Sequence, residues 1–236
     1  MNIKVLEDSI EIANVISNLI VENIKLKPDL LLCAATGNTP TETYRQLIEK
    51  KELYPSNQLR ILKLDEWGGV PMDNPETCES YLERYILKPL NIPESNYFGF
   101  NSNAANPEHE IQRMKTILYK QDPIDICILG LGLNGHIAFN EPPCEIDTEC
   151  HVATLSKQSL LHPMVTGMSI KPGYGLTLGI KEIMQSKKIF IIVTGEHKQK
   201  IAKEFLSGKV SKNLPASYLW LHPNAYCFID QKATNQ

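Results

Sequence analysis

Residues 125–142 read DICILGLGLNGHIAFNEP. Ile124, Ile126, Ile128 and Leu129 make a nearly continuous apolar run that enters a Gly-rich turn. A short apolar run bounded by such a turn predicts a strand buried on both faces, the kind found in parallel sheets. His136 follows the turn, and Glu141 stands five residues later, just before Pro142. In open α/β sheets ligands bind outside the carboxyl ends of the strands. These polar residues therefore stand where a site is expected.

Working outward, the chain alternates between strand-like and helix-like segments. Ile10, Ile12, Ala13, Ile16, Leu19 and Ile20 are spaced for an amphipathic helix. DLLLCAAT (29–36) predicts a buried strand, and Thr39 to Lys50 a helix with Thr39 as candidate N-cap and Pro40 in its first turn. LRILKLDEW (59–67) alternates as one strand, followed by helices over Pro75–Leu90 and Pro107–Lys120. HVATL, GLTLG and KIFIIVTG predict further strands, Glu196–Leu206 a helix, and SYLWLH and AYCFID the last two strands. The expected fold class is α/β, with a mostly parallel central sheet covered by helices on both faces.

With 236 residues, 42% hydrophobic and 22% charged, the composition is that of a soluble globular protein. No linker or repeat divides it, so one domain over 1–236 is expected. A net charge of −3 and a pI near 6.1 argue against a nucleic-acid partner. Acidic residues interrupt the N-terminal apolar spacing, and no apolar run approaches the ~18 residues of a membrane helix. The six cysteines form no CxxC pair, which points to a reducing cytoplasm. Cys144, Cys150 and His151 match no structural zinc spacing, and no metal or other cofactor is expected. Oligomeric state is not legible; a homo-oligomer stays open.

Four stretches fall just past predicted strand ends: TGNTP (36–40), DEWGG (65–69), NGHIAFNE (134–141) and TGEHK (194–198). TGNTP offers Gly37 and the free N–H groups of a helix start, a phosphate cradle or else an ordinary capped turn. GLGLNG (130–135) matches GxGxxG, but it does not follow the first strand and lacks an acidic residue after the next; a nicotinamide site is discounted. Lys198 opens a helix, where a cation is unfavourable unless it serves an anion; otherwise it is a solvated lysine. Asp65 and Glu66 point to opposite faces of a strand, so one of them, not both, is the candidate proton-transfer base; the plain alternative is a cap for the turn that follows. His136, with Glu141 to orient its second nitrogen and Asn134 beside them, is a candidate acid–base pair; the plain alternative is a satisfied histidine in a turn. Together these parts suit proton transfer on a small sugar phosphate. The alternative is hydrolysis of a sugar-phosphate ester or lactone, and a non-enzymatic sugar-phosphate-binding regulator would need the cradles but not the acid–base pair.

ATGNTP, LDEW and GLNGHIAFNEP, in this order, resemble the glucosamine-6-phosphate deaminase family, which groups with the 6-phosphogluconolactonases. Residues Pro71 to Glu79 and ASYLWLHPN (216–224) are most similar to its galactosamine-6-phosphate deaminase/isomerase branch. The resemblance implies a Rossmann-like three-layer α/β sandwich and conversion of an amino-hexose 6-phosphate and water to a ketohexose 6-phosphate and ammonia. It implies Asp65 as the C2–C1 proton carrier, His136 as the ring-opening acid and Glu141 as its partner. It further implies Gly37, Asn38, Thr39 and Lys198 as phosphate contacts. Glu141 argues against the lactonases, which lack the Asn-Glu-Pro. Two departures stand out: Asn134 replaces an aspartate, and an arginine of the phosphate site is missing, with Lys157, Lys171 or His162 as replacements. Because the chain ends sooner than the allosteric hexameric members, no activation by N-acetylated sugar phosphates is expected.

Overall fold

A computed structural model describes residues 1–234. Its strands are β1 (Asn2–Leu6), β2 (Leu31–Ala34), β3 (Arg60–Lys63), β4 (Asp65–Gly68), β5 (Tyr97–Phe98), β6 (Ile126–Gly130), β7 (His151–Ala153), β8 (Tyr174–Thr177), β9 (Lys188–Val193) and β10 (Ala225–Asp230). Seven of them form one sheet in the order β1-β10-β9-β6-β2-β3-β5, every pairing parallel. Strand order reverses between β2 and β6, the switch point at which such sheets open a crevice for ligands.

Alternate side chains of each central strand enter opposite cores, as the pleat requires. Leu32, Ala34, Ile126 and Ile128 pack with Ile12, Ile16 and Ile20 of helix α1 (Ser9–Leu26) and with Tyr44 and Leu47 of α2 (Asn38–Glu49). Cys33, Cys127, Leu129 and Ile191 pack on the other face with Ile111 and Met114 of the Pro107–Lys120 helix. They also meet Ile201 and Phe205 of the Gln199–Leu206 helix. Burying each such aliphatic side chain contributes about 1.5–3 kcal/mol, which is why these strands read as unbroken apolar runs. All six cysteines are buried and free.

Several expectations need correction. LRILKLDEW is two strands in two sheets. The Leu64 N–H still pairs with Ala34 of the main sheet (3.3 Å), while its carbonyl accepts from Leu178 (3.0 Å) in an antiparallel sheet of order β4-β8-β7. Lys63 and Glu66 meet at 2.7 Å; a straight strand would put residues three apart on opposite faces, about 10 Å from each other. HVATL and GLTLG supply β7 and β8 of this smaller sheet rather than strands of the parallel one.

SYLWLH is not a strand. Pro215–Leu221 forms a 3-10 helix, with the proline at its start, where its missing N–H costs nothing. The sheet position beside β10 is taken by β1, a strand the N-terminal reading missed because its Ile3 and Val5 are exposed on the edge. The first long helix begins at Ser9, where Asp8 caps the N–H groups of Ile10 (2.8 Å) and Glu11 (2.9 Å). The helix after TGNTP starts at Asn38 with Gly37 as N-cap, not Thr39. The segment 75–90 is helical only over Cys78–Leu82, continuing as a π-turn over Glu83–Leu87.

Candidate active site

The loops after β2 and β6 flank the switch point and line one cavity of about 410 Å³. Asn38, Thr39, Asp65, His136 and Lys198 all border it, so the structure brings residues from all four predicted stretches to one place.

Gly37 lies at φ 96°, a left-handed conformation that glycine adopts at no steric cost. It turns β2 into α2 without a side-chain cap, and Asn38 and Thr39 of the helix's first turn, whose N–H groups have no partner within the helix, line the cavity. The turn after β6 closes with the Gly135 N–H donating to the Gly132 carbonyl (2.9 Å) and the Gly132 N–H to that of His136 (2.9 Å). The His136 ring lies so close over Gly132 that a Cβ there would be 2.5 Å from ring atoms. Gly132 of GLGLNG thus leaves room for an imidazole.

Glu141 is held at both oxygens. Oε2 accepts from Asn134 Nδ2 at 2.7 Å and faces His136 Nδ1 at 3.4 Å. That second approach is an ion-pair distance, off line for a hydrogen bond, and Nδ1 makes no other. Oε1 accepts the Ser159 hydroxyl, with the Ser156 N–H at 3.4 Å. Burial alone would raise the Glu141 carboxyl; His136, Ser159 and Asn134 outweigh it and bring it down to about 2. It is a carboxylate throughout the neutral range.

Asp65 opens β4 beneath the cavity and is 8% exposed. Burial, reinforced by the neighbouring Glu66, pushes its carboxyl up to about 7; Lys63 and the Cys78 thiol pull the other way. Such a carboxyl exchanges its proton near neutral pH, as a base for carbon acids must. Glu66 points away from the cavity. It accepts from Lys63 Nζ (2.7 Å) and from the backbone of Trp67 (2.8 Å), Cys78 (2.9 Å) and Glu79 (2.8 Å), anchoring the start of the Cys78–Leu82 helix. Of the two acids, Asp65 is the one open to chemistry.

Lys198 closes the short Glu196–Lys198 turn, which Asp230 braces by accepting from the Gly195 N–H at 3.0 Å. Its ammonium donates to the Leu131 carbonyl at 2.5 Å, and burial lowers it to about 8. His162 hangs over Gly37, its Nε2 3.4 Å from where a Cβ would stand. Its Nδ1 accepts from the Met164 N–H (3.3 Å), which leaves the neutral ring's proton on Nε2, facing the cavity. Burial, then the nearness of His136 and Lys198, lowers its pKa. Trp67 and Phe139, with ring centroids 4.5 Å apart, form an apolar wall. The sequence reading missed Ser159 and this wall: a serine in SKQSLL carries no signal, and Trp67 stood inside a motif read only for its acids.

Three comparisons bear on this site. The family model described as glucosamine-6-phosphate isomerases/6-phosphogluconolactonase matches residues 7–227. The chain is 38% identical to the "Putative deaminase AgaI" of Escherichia coli K12 over 216 residues, covering 91% of this chain and 86% of the relative. It is 33% identical to glucosamine-6-phosphate deaminase 1 of Bacillus subtilis, over 95% of both chains. The solved structure of a monomeric glucosamine-6-phosphate deaminase, 32% identical, matches with a TM-score of 0.93 over 100% of this chain and 99% of that one. The 6-phosphogluconolactonase of Trypanosoma brucei, 21% identical, matches at 0.76 over 99% and 97%, a likeness of fold alone. With the family model spanning nearly all of the sequence and the Rossmann-like sandwich built as expected, the chain belongs to the glucosamine-6-phosphate isomerase/6-phosphogluconolactonase family.

Proposed function

We propose that this chain is a deaminating aldose–ketose isomerase of an amino-hexose 6-phosphate, with galactosamine 6-phosphate preferred over its C4 epimer, glucosamine 6-phosphate. The observation that carries the reading is that one cavity holds both a carboxyl poised near 7, Asp65, and a histidine backed by a permanent carboxylate, His136 with Glu141.

In this reading the substrate phosphate sits on the free N–H groups at the start of α2, over Gly37, Asn38 and Thr39, with Lys198 opposite. Of the three replacements for the missing arginine, His162 is the one in the cavity wall. Lys171 is spent on the carbonyls of Val165 (2.8 Å) and Thr166 (3.1 Å), and Lys157 is exposed outside the cavity. His136 protonates the ring oxygen as the C1–O5 bond breaks and the C1 hydroxyl passes its proton to solvent water, leaving an open-chain aldehyde. Glu141 steadies the imidazolium form. Asp65 takes the C2 proton, giving an enediol-type intermediate that carries nitrogen at C2, and returns it to C1. Water adds at C2 and ammonia leaves, so the ketohexose 6-phosphate forms with no change in overall oxidation state.

The lactone-hydrolase alternative uses the same phosphate cradle but gives Glu141 no task. A sugar-phosphate-binding regulator gives none to Asp65 either. Preference for the galacto epimer rests on the branch-like residues Pro71–Glu79 and 216–224. Its test is kcat/KM for ammonia release from each epimer. At least a tenfold advantage for galactosamine 6-phosphate is expected, about 1.4 kcal/mol of discrimination. Equal or reversed values overturn the sugar preference and leave the reaction class standing.

A further inference from the structure

Glu141 divides its two oxygens between two jobs. Oε2 faces Asn134 and His136, while Oε1 faces only the segment after β7. There Ser156 caps the short Lys157–Leu160 helix, its hydroxyl accepting from the Ser159 N–H at 3.1 Å and lying 3.2 Å from the Ser159 hydroxyl. Ser159 is 4% exposed, and its single proton goes to Glu141. The same segment supplies Ser159 and His162 to the cavity wall.

We propose that Ser159 is a positioning residue for the ring-opening pair, holding Glu141 by Oε1 so that Oε2 is presented to His136. The inference rests on the ring-opening role given above to His136 and Glu141. Without the hydroxyl, the carboxylate keeps only a long contact to the Ser156 N–H on that side and is free to rotate away from Nδ1. A hydroxyl donating to a buried carboxylate is among the stronger hydrogen bonds, and its loss displaces the partner as well as weakening it. Nothing in the family motifs points to this residue; the hydrogen-bond geometry alone assigns it.

The test compares the amino-hexose 6-phosphate with its 4,5-dideoxy analogue, which lacks both ring-closing hydroxyls, forms neither a pyranose nor a furanose and stays an open chain. Ser159→Ala should lose roughly 10- to 100-fold in kcat on the ring-closing substrate, with KM nearly unchanged, and less than about threefold on the analogue. Ser159→Thr, which keeps the hydroxyl, should restore activity to within about threefold, and Ser159→Cys, a weak donor, should behave like the alanine variant. Equal losses on both substrates, or no loss on the first, overturn the proposal. His136→Ala run in parallel separates the two readings. If it too loses equally on both substrates, the ring-opening role itself is wrong. If His136→Ala spares the analogue while Ser159→Ala does not, the positioning role alone falls.

Discussion

Asp65 and Glu66 are adjacent on β4 and point opposite ways: Asp65 faces the cavity with a carboxyl raised to about 7, and Glu66 faces the interior, bound to Lys63 at 2.7 Å. One acid is left unpaired for chemistry, and the other holds the framework that keeps it so. The two therefore make opposite predictions.

Replacing Asp65 by Asn should lower kcat by about 10²–10⁴-fold, the usual contribution of a positioned base, with substrate binding within a few-fold. In the unmodified protein kcat/KM should rise with pH through a limiting value of about 7, because the base must be ionised. The stability effect has the opposite sign. Since burial raises the carboxyl from 3.8, its contribution is present in full below about pH 4 and lost as pH rises through about 7. Asp65→Asn should therefore be the more stable protein at pH 8, by about 1–3 kcal/mol, with the difference shrinking towards pH 4. Melting curves across pH check this.

Glu66→Gln should cost about 3–5 kcal/mol, because it leaves Lys63, fully buried, short of one of its two carboxylate partners. Lys63→Met should cost a similar amount by stranding Glu66 and Glu79. Urea unfolding measures both, and a change under 1 kcal/mol in either would show that the cluster is not what holds the β3–β4 corner.

Gly132→Ala puts a Cβ within 2.5 Å of the His136 ring. The ring is the part able to move, so activity should fall about 100-fold, as misplacement by an ångström commonly costs, while stability falls by only about 1–3 kcal/mol. Full activity in this variant would mean that the ring position seen here is not the working one.

Lys198, lowered by burial to about 8, should lose its charge over the mildly alkaline range. KM for the sugar phosphate should accordingly rise above about pH 8 while kcat changes little. Lys198→Met should show a KM raised about tenfold or more and independent of pH over that range. A pH-dependent rise that survives in Lys198→Met would assign it to another group.

How much of this was legible in the sequence depended on range. The central strands announced themselves because burial on both faces leaves nothing but apolar residues, as in Ile126–Leu129 and Leu31–Ala34. The rim residues followed, since a strand end is a position along the chain. What sequence could not show were relations that the third dimension decides. The Lys63–Glu66 contact breaks LRILKLDEW into two sheets, β1 takes the edge that SYLWLH would have joined, and Ser159 reaches Glu141 across 18 residues. A short continuous apolar run such as Tyr218–Leu221 fits a buried strand and a buried 3-10 helix alike, so the pattern alone had no means of separating them.

The most direct test is a product balance with the purified protein and galactosamine 6-phosphate, counting ammonia against ketohexose 6-phosphate, with 6-phosphogluconolactone hydrolysis followed in parallel. One ammonia for each ketohexose phosphate, abolished in Asp65→Asn and with lactone opening no faster than its background, is the predicted result. Rapid lactone hydrolysis with no ammonia from either amino-hexose 6-phosphate would contradict the account and return Glu141 to a structural part.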